Sequence, residues 1–361
     1  MKRFFIIIAL LLPLLACEDE MKKGRSGSQT GPDEPETPVV PIPQPASAPA
    51  FAYGADISWV TEMESKGYKF YNAEGTATEL TALMKSLGCN AVRYRVWVNP
   101  EGGWCNKADV LVKAKRAAAL GMSIMIDFHY SDTWADPRNQ NPPAAWASMD
   151  AAQMATALGN HTKDVLNALK AQNIDVTWVQ VGNETNTGMC KPVGEVSSSD
   201  ASGFIKLANA GYDAVKSVYP NAYVILHHSN AHDFSGNKWF FTLVKTAKYD
   251  MIGLSLYPSY WDEDAGAYPD WNPPTQQAVS NFSSLHETFS KPVMLVEFGM
   301  PASEPAKAKA ALQYVINNTK NLDWFKGIFY WEPEAEHSWE KYDYGAFSAG
   351  KPTIALDPFK Q

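Results

Sequence analysis

The chain has 361 residues, with 31 Lys and Arg against 39 Asp and Glu, giving a net charge of -8 at pH 7 and a pI near 5.4. Phosphate binding calls for a basic face, so the balance argues against nucleic acid as a partner and leaves a neutral polymer compatible. Of the four cysteines, Cys89, Cys105 and Cys190 lie beyond the N-terminal region; they lack the close paired spacing of a zinc site and allow at most one disulfide, with three buried thiols an equal alternative.

At the N-terminus Lys2 and Arg3 precede an apolar run from Phe4 to Leu15, which ends at Leu14-Leu15-Ala16-Cys17. The run is well short of the ~20 apolar residues of a membrane span, so it reads as an export signal. A small residue before a cysteine resembles a lipoprotein processing box, which makes Cys17 the expected lipid anchor, against the alternative of an ordinary cleaved signal. Glu18, Asp19 and Glu20 resemble the surface-export signals of Bacteroidetes lipoproteins. Residues 18–50 are rich in Gly, Ser and Pro and too poor in apolar residues to bury a core, so they read as a disordered spacer. Residues 51–361, roughly 310 in number, form the expected single folded domain.

Within that domain, β-branched and aromatic runs alternate with helical patterns, the sign of repeated βα units. The predicted strands are Ala52 to Ser58, Ala91 to Val98, Ser123 to His129, Val176 to Gly182, Tyr223 to His228, Met251 to Tyr257, Val293 to Phe298 and Gly327 to Trp331. Leu80, Leu83, Met84 and Leu87 sit at helical spacing, and Gly88 stops that helix before the second strand. Runs such as Ile124-Met125-Ile126 and Val293-Met294-Leu295-Val296 are apolar without alternation, as parallel strands covered on both faces require. Eight strands close a barrel, whereas an open doubly wound sheet would be expected to carry a Gly-rich phosphate loop, and none follows a strand here. The expected class is α/β, a single-domain (β/α)8 TIM barrel.

Barrel enzymes assemble their sites at the C-terminal strand ends. Here those ends carry Asp56, Arg93 and Arg95, Asp127 and His129, Asn183 and Glu184, His227 and His228, Tyr257, Glu297, and Trp331 with Glu332. Glycosidic cleavage needs one carboxylic acid and one carboxylate on opposite sides of the anomeric carbon, a task Glu184 and Glu297 can share across a barrel mouth. Arg93 and Arg95 alternate onto one face of their strand, whereas of His227 and His228 only one can point inward. Trp97, Trp134 and Trp331 are the candidate sugar platforms, while Trp178 and Trp324 read as packing.

Gly182-Asn183-Glu184 and Val296-Glu297-Phe298-Gly299 resemble the acid/base and nucleophile strands of the retaining clan that includes cellulases, mannanases and galactanases. Asn90 to Pro100, Ile126 to Pro137, Leu256-Tyr257-Pro258 and Phe329 to Pro333 resemble, more narrowly, the endo-β-1,4-galactanases of glycoside hydrolase family 53. The resemblance implies Glu184 as general acid/base and Glu297 as nucleophile. It implies that Asn183 meets the sugar 2-hydroxyl and that Tyr257 with Arg93 or Arg95 contacts Glu297. With Asp127, Asp132, His129, His227 and the three tryptophans, these residues make up the expected substrate-binding set. Arg93 and Arg95 have an alternative role pairing with Asp127 or Asp56, and His129 an alternative role orienting a neighbour. Where family members often carry Asp after the strand-five His, this chain has His227-His228-Ser229-Asn230 and departs from the contact made there. Its loop after strand eight is short, where some bacterial relatives hold a structural calcium in a longer one, so no metal is expected; no cofactor is expected either.

The expected activity is endo-hydrolysis of type I arabinogalactan with retention. The runners-up are another retaining endo-glycanase of the clan, acting on mannan or β-glucan, and a non-catalytic surface glycan-binding lipoprotein, which would not need both carboxylates. Expected partners are galactan and galacto-oligosaccharides; the chain is expected to be monomeric and to meet the membrane only through its anchor. The outer membrane with the enzyme facing the cell surface is the expected location, the periplasmic face being the alternative.

Overall fold

The computed structural model describes residues 48–360. The expected export signal, Cys17 and all but the last three residues of the expected spacer lie outside the described residues.

Eight parallel strands close a barrel: β1 (Ala52–Asp56), β2 (Ala91–Val96), β3 (Ser123–Phe128), β4 (Trp178–Val181), β5 (Tyr223–His228), β6 (Met251–Leu256), β7 (Val293–Phe298) and β8 (Phe325–Trp331). Each pairs with its sequence neighbours, and β8 returns to β1. The expected count and order hold. β1, β2, β3, β4 and β6 end one or two residues before the predicted ends, because His129, Asn183 and Tyr257 already belong to the loops that build the mouth. β8 begins two residues early, at Phe325.

Alternating side chains inside the barrel form a plug of their own, including Met125, Trp178, Ile225, Met251, Met294, Val296 and Phe329. The larger core lies outside, between strands and helices. Helix α1 (Val60–Ser65) and helix α2 (Leu80–Ser86) follow β1, α3 (Lys107–Ala119) follows β2, and α4 (Ala151–Lys170) follows β3. Then come α5 (Ser202–Val218), α6 (Phe234–Leu243), α7 (Asn272–Phe289) and α8 (Pro305–Thr319), one after each of β4 to β7. α4 shows why these segments are helical: Asp150 and Gln153 make a reciprocal capping box, and Met154, Leu158, Thr162, Val165, Leu166 and Leu169 bury one stripe.

A short 3-10 turn at Ile354–Phe359 takes the place of a helix after β8. It explains Gly88 a second way: the residue has φ +100 just past α2, and a Cβ there would collide with the Phe359 carbonyl. Cys89, Cys105 and Cys190 are buried free thiols, which settles the open disulfide question.

One register irregularity positions the site. Met294 and Val296 face the barrel interior, so strict alternation would send Glu297 outward to the helices. The pairing of β7 with β6 shifts between Leu254↔Leu295 and Ser255↔Glu297, inserting an extra residue that turns Glu297 back to the inner face beside Ser255.

Candidate active site

Four strand ends converge on Arg93. Its Nη1 lies 2.6 Å from Asp56, and its Nη2 lies 2.9 Å from both Asp127 and Glu297. Nη2 also donates to Asn183 Oδ1 at 2.8 Å. A buried guanidinium is tolerable only with such partners, and its fixed fork suits several acceptors at once. Arg93 thus takes both roles open to it, pairing with Asp56 and Asp127 and also contacting Glu297. Arg95 does not reach Glu297; it is buried against Glu332.

Glu184 leaves β4 through a left-handed turn, with φ +88 at Gly182 and φ +43 at Glu184 itself. A Cβ on Gly182 would stand 2.5 Å from the Thr185 methyl, so glycine is required. The strain at Glu184, of order 1 kcal/mol, is held by neighbours. Thr185 N–H donates to the His227 carbonyl at 2.8 Å, and Gln140 Nε2 donates to the carbonyls of Asn183 and Glu184 at 2.9 and 3.2 Å.

The Glu184 carboxyl accepts from Ser255 Oγ at 2.7 Å, and Ser255 Oγ lies 2.7 Å from His227 Nε2. His227 Nδ1 faces the Glu184 backbone N–H at 3.2 Å and Gln180 Nε2 at 2.9 Å. Nδ1 also lies 3.0 Å from Asn183 Oδ1, so its own neighbours do not fix the tautomer; the Ser255 hydroxyl, which gives its proton to Glu184, accepts from the ring, and this places the ring proton on Nε2. Burial and then the Arg93 charge hold His227 far below its ordinary pKa, so the ring is neutral.

Burial pushes the Glu184 carboxyl up to about 7, with the Ser255 hydroxyl opposing and the Asp136 charge reinforcing the shift. Burial also raises Glu297, opposed by the Arg93 cation and reinforced by the charge of Glu184. Two carboxyls in one low-dielectric cleft titrate as a pair. The anion settles where it is better held, which is Glu297, with Arg93 on one oxygen and the Tyr257 hydroxyl 3.1 Å from the other. These contacts favour the proton on Glu184.

Beside the pair lies a wall of half-exposed rings. Ring centroids of Trp97 and Trp134 are 5.1 Å apart, and those of Trp134 and Trp331 5.9 Å. Behind them the buried Trp59 contacts Trp134 and Trp331 edge to face, and the Arg95 guanidinium sits 4.4 Å from the Trp134 ring centre. Trp178 fills the barrel and Trp324 stacks on His286, both packing roles as expected.

The sequence model of Glycosyl hydrolase family 53 matches residues 52–352. The chain belongs to this family. It is 31% identical over 319 residues to "Probable arabinogalactan endo-beta-1,4-galactanase A" of Neosartorya fischeri, covering 80% of this chain and 85% of that one. It is also 31% identical to "Arabinogalactan endo-beta-1,4-galactanase" of Thermothelomyces thermophilus, over 79% and 90% of the two chains. Among solved structures, a fungal β-1,4-galactanase superposes with a TM-score of 0.76 at 29% identity, covering 85% of this chain and 98% of that one. The family 53 catalytic domain from Ignisphaera aggregans gives 0.75 at 25% identity, covering 90% and 99%.

Within this family 53 fold, several residues expected to bind substrate lie beneath the cleft surface. Arg93, Arg95, Asp127, His129 and His227 are all buried. His129 Nε2 meets Asp127 at 3.0 Å, while its Nδ1 accepts from Trp97 Nε1 and the Ala135 amide, so it orients neighbours. Asp132 accepts from the Asn99 and Ala144 amides, one on each oxygen, and shapes the loop. His228 faces away, against Phe240, leaving His227 as the inward member of the pair. Asn183, Tyr257, Trp97, Trp134 and Trp331 remain at the cleft. Sequence reasoning missed Gln140, Gln180, Ser255 and Trp59. Ser255 and Gln180 were recoverable, since strand alternation places them on the inner face at the same level as Asp127 and His227; Gln140 sits in a loop and gives no such signal.

Proposed function

We propose that this protein cleaves internal β-1,4-galactosidic bonds of type I arabinogalactan by a retaining double displacement. The observation that carries this reading is the placement of Glu184 and Glu297 in one cleft of a family 53 barrel whose similar relatives bear galactanase names. Glu184 gives its proton to the glycosidic oxygen as Glu297 attacks the anomeric carbon, forming a glycosyl ester and releasing the leaving chain. Glu184, now a carboxylate, takes a proton from water, and the resulting hydroxide attacks the same carbon and frees Glu297, so the β configuration returns. Asn183 Nδ2 spends one N–H on the Ala135 carbonyl at 2.8 Å; its second is directed to the sugar 2-hydroxyl. Arg93 and Tyr257 hold the nucleophile ionised, and Trp97, Trp134 and Trp331 stack the sugars.

The test is reducing-sugar release from linear β-1,4-galactan compared with mannan, cellulose and β-1,3-galactan, with the first anomer followed by NMR. Activity confined to the first polymer, with the β-anomer appearing first, is the expected result; preference for another polymer or an α-anomer overturns it. The apolar N-terminal run, the small residue before Cys17 and the Pro-rich stretch support an enzyme anchored by lipid at Cys17 and held off the outer membrane, on its surface face, by residues 18–50. Palmitate labelling that survives Cys17→Ala refutes the anchor.

A further inference from the structure

The loop between β6 and α7 carries two exposed aromatic residues in succession, Tyr260 at 41% and Trp261 at 45% exposure. Leaving adjacent large rings in water forgoes the gain of burying them, which makes an occupant the economical explanation. Their placement is not peripheral. The Tyr260 ring lies 5.5 Å from that of Tyr257, whose hydroxyl contacts Glu297, and 5.0 Å from that of Tyr344.

Trp261 continues the line outward, fixed by its backbone N–H donating to the Tyr344 hydroxyl at 3.2 Å and by its ring against Tyr268 at 5.1 Å. The rings also join the tryptophan wall, because Tyr342 lies 4.9 Å from Trp331 and 6.0 Å from Tyr344. The aromatic surface thus runs past the carboxylate pair and out along the β6 loop.

We propose that Tyr260 and Trp261 form a distal subsite that holds a galactose unit remote from the bond being cleaved, so that longer chains are bound and cleaved better than short ones. This rests on the galactan reading above. The axial 4-hydroxyl of galactose leaves one pyranose face as a continuous C–H surface, which an indole ring covers well, and the tyrosine hydroxyls supply polar contacts at the ring edge.

The experiment compares kcat/KM on β-1,4-galactohexaose and β-1,4-galactotriose for the full-length enzyme, Trp261→Ala and Trp239→Ala. Trp239, on α6 and 42% exposed, makes no ring contact among the described residues and serves as the control. Stacking of ordinary strength lowers the hexaose-to-triose ratio by about fivefold to tenfold in Trp261→Ala. Trp239→Ala keeps the ratio of the unmodified enzyme. Melting temperatures monitor folding, and Trp261→Phe, which keeps a ring, restores part of the ratio. An unchanged ratio, or equal losses on both substrates, overturns the subsite. An unmodified enzyme that cleaves neither oligosaccharide overturns the galactan reading instead.

Discussion

Ser255→Ala removes one hydroxyl and tests the proton placement in the cleft. Ser255 Oγ donates to Glu184 at 2.7 Å and accepts from neutral His227 at 2.7 Å, so it stabilises the Glu184 carboxylate in particular. A hydrogen bond to a charged group contributes roughly 1.5 to 3 kcal/mol, and one pKa unit is about 1.4 kcal/mol. Part of that contact persists to the protonated acid, so the net change is about one unit upward from a value already raised to about 7. Glu184 must be protonated for glycosylation, so kcat/KM falls as pH rises through its pKa, and the alkaline limb of the profile moves to higher pH in the variant. The variant also leaves the His227 Nε2–H without a partner in a buried site, costing about 1 to 3 kcal/mol of stability, visible in thermal unfolding. The assay is kcat/KM on soluble galactan between pH 4 and 10. A limb that stays put or moves to lower pH refutes the assignment of the proton to Glu184.

Glu184→Ala lowers galactan hydrolysis by about 10² to 10⁴-fold but spares glycosylation from an aryl galactobioside, and azide then gives the β-azide; Glu297→Ala stops both substrates and gives the α-azide, so exchanged phenotypes reverse the roles. Arg93→Met strands Asp56, Asp127 and Glu297 as a buried anionic cluster and costs roughly 3 to 5 kcal/mol, read as a large fall in melting temperature; Arg93→Lys, a point charge, recovers only part because one ammonium cannot reproduce the fork. A chain beginning near Phe51 keeps the melting temperature and kcat of the longer protein, since β1 starts at Ala52; a clear loss in either assigns residues 18–50 a structural part.

What could be read in the sequence and what could not divide along a physical line. The strand count came from apolar runs buried on both faces, and the mouth came from polar residues falling at one end of each run; both are local patterns that burial enforces. That Arg93 and Arg95 share a face, and that only one of His227 and His228 points inward, followed from period-two alternation alone. What alternation cannot supply is depth. Arg95, Asp127 and His129 point inward as expected, yet they sit beneath Trp97, Trp134 and Trp59, rings brought in by other loops. Whether a polar inward residue meets sugar or supports one that does depends on the layer above it, and that layer comes from distant segments.

Glu297 sharpens the point. Its motif marked it as chemical, whereas its parity, taken from Met294 and Val296, would have turned it toward the helices; the extra residue in β7 against β6 reconciles the two. The irregularity brings the carboxylate to Arg93 and Tyr257, and these contacts decide which member of the pair is ionised. Glu184 reaches its position by a different departure, a left-handed residue after Gly182. Both carboxylates thus stand where regular backbone would not place them, and each is fixed by buried groups: Arg93 and Tyr257 for one, Ser255, His227 and Gln140 for the other. Buried supports of this kind cannot relax when a partner is removed, so substitutions beneath the cleft register in the pH profile and in thermal stability together, while substitutions at the exposed rings register in substrate length alone.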